Sequence, residues 1–414
     1  MAALVPSRES SRITPSDGET TGSDVIFLIA WRNTHPAAMA GRSGMRRWNR
    51  WLSAALAAML AACATGHGVA PDVVAVPASQ AVRAAPVVDT GTLDGAPYRI
   101  DIPADWNGEL VVNAHGYAVA GSPARPMEVP GGMQTLLDRG FAVAASDYSD
   151  QGWAIAEAVA DTERLREYFV ARHGAPARAW LVGWSMGGLV ALASAERHPQ
   201  AWDGVVSMCG VAVPTEAMFA RGALAPLAAF EALYPGVLPQ APGGLADASL
   251  PAMPDSDAIE AAFAGDEMRA AAFAHRFDIP RADAASSLWL YYVALRELAK
   301  RAGGFPATST TGMDGTDGDE AALGIHIRRY AADPAALAYV RRTGGLTGAA
   351  PVPVVLQPNA VDPIVTARFS AGYPALARTQ ARDAQVRMLP GVGEGHCRFP
   401  PETVVAALEV LREP

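Results

Sequence analysis

Gly183-Trp184-Ser185-Met186-Gly187 sets a serine between two glycines. The run before it, Ala179-Trp180-Leu181-Val182, is apolar. The run after it, Gly188-Leu189-Val190-Ala191-Leu192-Ala193, is helix-like. At a tight strand-to-helix corner a serine Oγ projects above the sheet edge, and the positions two residues to either side can carry almost no side chain. That is how a weak nucleophile is made reachable for attack on a carbonyl. With 39 glycines in 414 residues, the bare pattern is expected by chance roughly 0.2 times per chain. The flanking strand and helix therefore carry the inference, against the alternative of a Gly-rich turn before an ordinary helix.

A nucleophilic serine needs a base, and the base needs an orienting acid. Of the eight histidines, His35 and His67 precede the fold. His115 stands before a glycine at a strand end and reads as a loop anchor. His173 and His198 end helices, where a cation suits the helix dipole. His275 and His326 fall in a long insertion. His396 lies in Gly393-Glu394-Gly395-His396-Cys397, a flexible Gly-rich loop between the last strand and the last helix. It is the candidate base. The acid is sought between Ser185 and His396, the chain order Ser, Asp/Glu, His. Asp362 fits, following the strand Val354-Val355-Leu356 and preceding Pro363, with turn formation as its alternative role. Asp383 sits too close to the last strand, and Asp314, Asp317 and Asp319 lie in the insertion. Two backbone N–H groups must hold a developing oxyanion. Met186, after the nucleophile, supplies one, and Tyr117 of His115-Gly116-Tyr117 supplies the other.

The elements that must position these residues alternate. Val87–Leu93 and Tyr98–Ile102 read as strands joined at Asp94-Gly95. Glu109–Ala114, Phe141–Ala145, the strand leading to Ser185, Gly204–Met208, Val352–Gln357 and Gln385–Leu389 read as further strands. Met133–Asp138, Trp153–Arg172, the segment from Ser185 to about His198, and Glu402–Leu411 read as helices. This alternation predicts an α/β fold with a mostly parallel central sheet and helices on both faces. It breaks at residues 213–348, where Ile259–Phe273 and Ala284–Arg301 are helical and Thr308–Asp319 is a polar loop. An insertion there, after the nucleophile, reads as a largely helical cap. The core then comprises 85–212 and 349–414.

Taken together, His115-Gly116 after a strand, Gly183-Trp184-Ser185-Met186-Gly187-Gly188, Asp362 and Gly395-His396 resemble the α/β-hydrolase superfamily. The resemblance covers roughly residues 85–212 and 350–412. It implies Ser185 as nucleophile, His396 as base, Asp362 as acid, and backbone donors at Met186 and Tyr117. It does not give the substrate. Trp184, Tyr148 and Trp153 are candidates for substrate contacts. The pair Tyr291-Tyr292 could also line a pocket, although core packing suits it better. Nothing resembles a metal site or a nucleotide loop, and no cofactor is expected.

The chain start reads as an address. Met45-Arg46-Arg47-Trp48-Asn49-Arg50 is basic, and Trp51 to Ala62 is apolar but too short for a span, which needs about 20 residues. Cys63 after Leu60-Ala61-Ala62 resembles a bacterial lipoprotein signal, in which Cys63 would be lipidated, against a plain secretory signal as the alternative. Residues 45–62 then form the signal peptide, 63–84 a tether, and 1–44 a mis-assigned, disordered start. The expected location is outside the cytoplasm, periplasmic or lipid-anchored in the outer membrane, with the lipid anchor as the sole membrane contact. Disulfides are permitted there, so Cys209 and Cys397, both expected at the top of the sheet, are read as a pair, with two buried thiols as the alternative. A net charge of −9 with no Arg-rich run beyond the N-terminal one argues against nucleic acid as a partner. The expected partner is a small-molecule or oligomeric ester. An amidase or peptidase using the same triad, or a non-catalytic binding lipoprotein of this fold, are the rivals.

Overall fold

The computed structural model describes residues 85–122 and 131–413. The start, the signal-like segment, Cys63 and the tether lie outside the described residues. Among those described, no helix is long and apolar enough to cross a membrane.

β1 (Val87–Leu93) and β2 (Ala96–Ile102) form a hairpin. Its turn residues Asp94 and Gly95 have φ of 48° and 87°, the paired left-handed geometry that matches the twist of a two-residue hairpin. β3 (Glu109–Ala114), β4 (Ala142–Ser146), β5 (Arg178–Trp184), β6 (Gly204–Met208), β7 (Val354–Gln357) and β8 (Val386–Met388) complete a single sheet. The strand order is β1-β2-β4-β3-β5-β6-β7-β8. β2 runs antiparallel to both of its neighbours, and every pair from β4 to β8 is parallel.

Parallel neighbours require crossovers, and helices supply them. α1 (Gly131–Leu137) precedes β4, α2 (Ile155–His173) precedes β5, α3 (Met186–Arg197) precedes β6, and the chain ends in a helix at Thr403–Arg412. Side chains alternate across each strand, so the sheet has two cores. Leu110, Val112 and Leu181 pack with α2 and α3. Val111, Val182 and Val206 pack with α1 and the C-terminal helix. Burial on both faces is why the central strands read as near-continuous apolar runs.

Between β6 and β7 the chain is mostly helical. A π-helical stretch, Met218–Leu224, runs into α4 (Ala225–Leu233). α5 (Ser256–Gly265), α6 (Glu267–Phe277), α7 (Ala284–Ala302), α8 (Thr316–Leu323) and α9 (Pro334–Gly344) follow. The single helix expected over Ile259–Phe273 is two, because Asp266 ends one and caps the next by accepting from Arg269 N. The polar segment expected as a loop over Thr308–Asp319 already contains the first turn of α8. α10 (Tyr373–Thr379) lies between β7 and β8, which makes the C-terminal helix α11.

The parallel register puts the strand ends level. Ala114 pairs with Gly183, Trp184 with Met208, and Met208 with Gln357. The loops carrying Tyr117, Ser185, Cys209 and Asp362 therefore all leave from one carboxyl edge of the sheet, where open α/β sheets place their ligands.

Candidate active site

Ser185 occupies the corner between β5 and α3 with φ 56° and ψ −121°. A non-glycine residue held there costs about 1–3 kcal/mol and survives only where its surroundings over-determine it. They do. Ser185 N donates to Met208 O, and Ser185 O accepts from Gly188 N and Val211 N. The glycines are demanded by contact. A Cβ on Gly183 would lie 1.9 Å from Gly187 O, and one on Gly187 would lie 2.1 Å from Ala114 O. Gly116 is less tightly confined, but a Cβ there would still sit 3.0 Å from that of Ser185. Hence the loop after β3 lies directly against the serine.

His396 Nε2 is 2.8 Å from Ser185 Oγ. Its Nδ1 is 2.9 Å and 3.0 Å from the two carboxylate oxygens of Asp362. With Nδ1–H donating to Asp362, Nε2 is left to accept the serine proton. Asp362 is buried, and its Oδ1 also accepts from Ile364 N and Val365 N. Another carboxyl lies nearby: Asp283, at the start of α7, is pushed up by burial, with Arg398 opposing and Asp362 adding.

The Gly-rich loop of His396 is stitched in place, which corrects the expectation of a flexible one. Ala360 N donates to Gly393 O and Gly395 N to Val361 O, so the loops of Asp362 and His396 run together like a short strand pair. Gly393 and Gly395 have φ of 74° and 94°, so here the glycines supply left-handed backbone. Asn359, which the sequence did not flag, clamps the same loop. Its amide donates to Val392 O and Arg398 O, and its carbonyl accepts from Cys397 N. Cys397 is joined by a disulfide to Cys209 at the end of β6.

Met186 opens α3, so its N–H is one of the donors that a helix start leaves without a helical partner. Tyr117 follows Gly116 across the serine. His115 stacks on Tyr148 with ring centroids 4.0 Å apart, and its Nδ1 lies 2.7 Å from Gly116 O, as a loop anchor would.

The other aromatic candidates have structural partners. Tyr148 is buried, and its hydroxyl donates to His115 O. Trp153 is buried edge-on to Phe219, and its Nε1 donates to Thr215 Oγ1. Trp184 packs on Phe399 toward the α1 and α11 face, the parity opposite to Gly183. Tyr292 is buried with its hydroxyl on Pro251 O, whereas Tyr291 and Ser287 bond the carbonyls just after Asp362. The latter contacts could not be read from sequence, since nothing local links residues so far apart.

The sheet order and the serine corner on its carboxyl edge make this an α/β-hydrolase fold. Residues 109–242 match the family model for the alpha/beta hydrolase fold. No curated protein gives a significant match. Among solved structures, TT1662 from Thermus thermophilus is 14% identical over 80% of this chain and 99% of its own, with a TM-score of 0.43. A thermostable carboxyl esterase from Bacillus coagulans is 13% identical over 79% of this chain and 96% of its own, at 0.38. The acylaminoacyl peptidase of Pyrococcus horikoshii is 10% identical over 78% of this chain but 39% of its own, at 0.40. At these values the likeness carries neither activity nor residue roles.

Proposed function

We propose that the protein is a serine hydrolase that cleaves a carboxylic ester through an acyl-enzyme. The observation that supports it is the unbroken chain from Ser185 Oγ through His396 to Asp362, with each contact at hydrogen-bond length. Ser185 Oγ attacks the ester carbonyl while His396 Nε2 takes its proton. Asp362 accepts the Nδ1–H and stabilises the imidazolium. The N–H groups of Met186 and Tyr117 hold the oxyanion. His396 then returns the proton to the departing alkoxide, leaving the acyl group on Ser185. Water, deprotonated by His396, attacks that acyl-serine. Collapse of the second tetrahedral intermediate releases the acid and returns the proton to Ser185. Esters are favoured because an alkoxide leaves more readily than an amine.

On this reading the helices of residues 213–348 form a cap. The enzyme works outside the cytoplasm, anchored through a lipid on Cys63. Metabolic labelling with radioactive palmitate that persists in Cys63→Ser would remove the anchor from the proposal.

A fluorophosphonate probe tests the activity. Folded wild type labels and Ser185→Ala does not. Folded wild type that stays unlabelled would make the chain a binding protein. A series of p-nitrophenyl esters beside the matching anilides separates ester from amide cleavage, with faster turnover of the esters expected.

A further inference from the structure

Asp362 opens a turn whose polar groups are taken from two sides. Its carboxylate accepts the N–H groups of Ile364 and Val365, each at 2.9 Å. The carbonyls of the same turn belong to α7. Ser287 Oγ donates to Pro363 O at 2.9 Å. Tyr291 OH lies 3.1 Å from Pro363 O and 3.0 Å from Ile364 O. Ser287 and Tyr291 are four residues apart, so they share one helix face. Both are buried, at 0% and 4% exposure. A buried hydroxyl left without an acceptor costs about 1–3 kcal/mol, and here both hydroxyls find theirs on the acid turn. Burial, with the charge of Asp362 beside it, pushes the Tyr291 phenol up, so it stays a donor.

The far end of α7 is held as firmly. Glu297 accepts from Trp153 N at 2.7 Å, and Arg301 donates to Gln151 O at 2.5 Å and pairs with Asp150 at 3.0 Å. Gly152 makes room for that approach, since a Cβ there would lie 2.3 Å from the Glu297 carboxyl carbon. α7 thus spans from the loop after β4 to the turn of Asp362, bonded at both ends.

We infer that α7 is a fixed brace rather than a moving lid helix, and that Ser287 and Tyr291 are positioning residues for Asp362. They hold the turn so that its carboxylate meets His396 Nδ1. The inference rests on Asp362 being the orienting acid. Hydroxyl groups on a helix of the insertion then set the geometry of a triad to which they contribute no atom.

The test is a mutant cycle read by kcat and KM on p-nitrophenyl butyrate, and by the fluorophosphonate labelling rate where turnover is slow. Tyr291→Phe combined with Ser287→Ala is expected to lower kcat by about 10- to 100-fold, the scale of a displacement near 1 Å, with KM unchanged. In an Asp362→Asn background the same pair is expected to cost nothing further. Wild-type kcat in the double variant overturns the brace, as do losses that multiply with that of Asp362→Asn. If circular dichroism shows the double variant unfolded, Tyr291→Phe alone decides by the same two criteria. Should Asp362→Asn keep wild-type kcat, the triad reading falls and the brace with it. Should Asp362→Asn be slow while the α7 variants are fast, the brace alone falls.

Discussion

At the residue scale, the site depends on a serine in a backbone conformation that its neighbours enforce. Gly187→Ala puts a Cβ 2.1 Å from Ala114 O, so β3 or the corner must move. A lowered Tm and lost fluorophosphonate labelling are expected, and a variant that labels at the wild-type rate would contradict this. Asp362→Asn should reduce kcat by about 10⁴-fold through the wrong imidazole tautomer, measured on p-nitrophenyl esters in folded protein. Ser185 was legible from its glycines, because close backbone approach leaves a mark in sequence. His396 and Asp362 were legible by elimination and chain order. Asn359 was not, because an asparagine that clamps a loop is indistinguishable in sequence from one in any turn. Nor were the partners of Tyr148, Trp153 and Trp184, because an aromatic's role depends on strand parity and on what faces it.

At the element scale, α2 carries a titrating group into the core. Glu163 accepts from Trp202 Nε1 at 2.8 Å, and burial raises its carboxyl from 4.5 to about 7, with Trp202 and Arg166 opposing. A carboxyl raised in the folded state binds its proton more tightly folded than unfolded. Its contribution to stability is therefore favourable at acid pH and is lost as pH climbs from about 4.5 towards 7. Glu163→Gln keeps an acceptor for Trp202 and removes the titration. Its stability relative to wild type should improve between pH 5 and pH 8 in urea unfolding, and a pH-independent difference would count against the assignment. The sheet strands and α2, α3 and α7 were readable because each is long or strongly patterned. α4, α9 and α10 carry no such signal. Their sequences are short or alanine-rich, and packing rather than periodicity fixes them. Pro334 after Asp333 was an available start signal for α9.

At the scale of the whole molecule, the insertion is tied to the core at several points and the His396 loop is tied across the sheet. The Cys209–Cys397 disulfide spans 188 residues and should contribute about 2–5 kcal/mol, chiefly by constraining the unfolded chain. Cys209→Ala with Cys397→Ala should lower the free energy of unfolding by that amount. Turnover at low temperature should change little, because Asn359 and the backbone bonds of Gly393 and Gly395 still hold the loop. Equal stability of variant and oxidised wild type in urea would refute this. The end of α9 is held to α3 through Arg197, which donates to Thr343 O and Gly345 O. Glu196 accepts from Tyr373 OH. By itself, the sequence determined what is local: a serine corner, strands buried on both faces, glycines where backbones touch, and the order in which candidate groups occur. Tertiary structure alone decided which distant groups meet, namely His396 with Asp362, Cys209 with Cys397, and α7 with the turn of Asp362. Those meetings depend on strand order and register, and neither is written in any window of neighbouring residues.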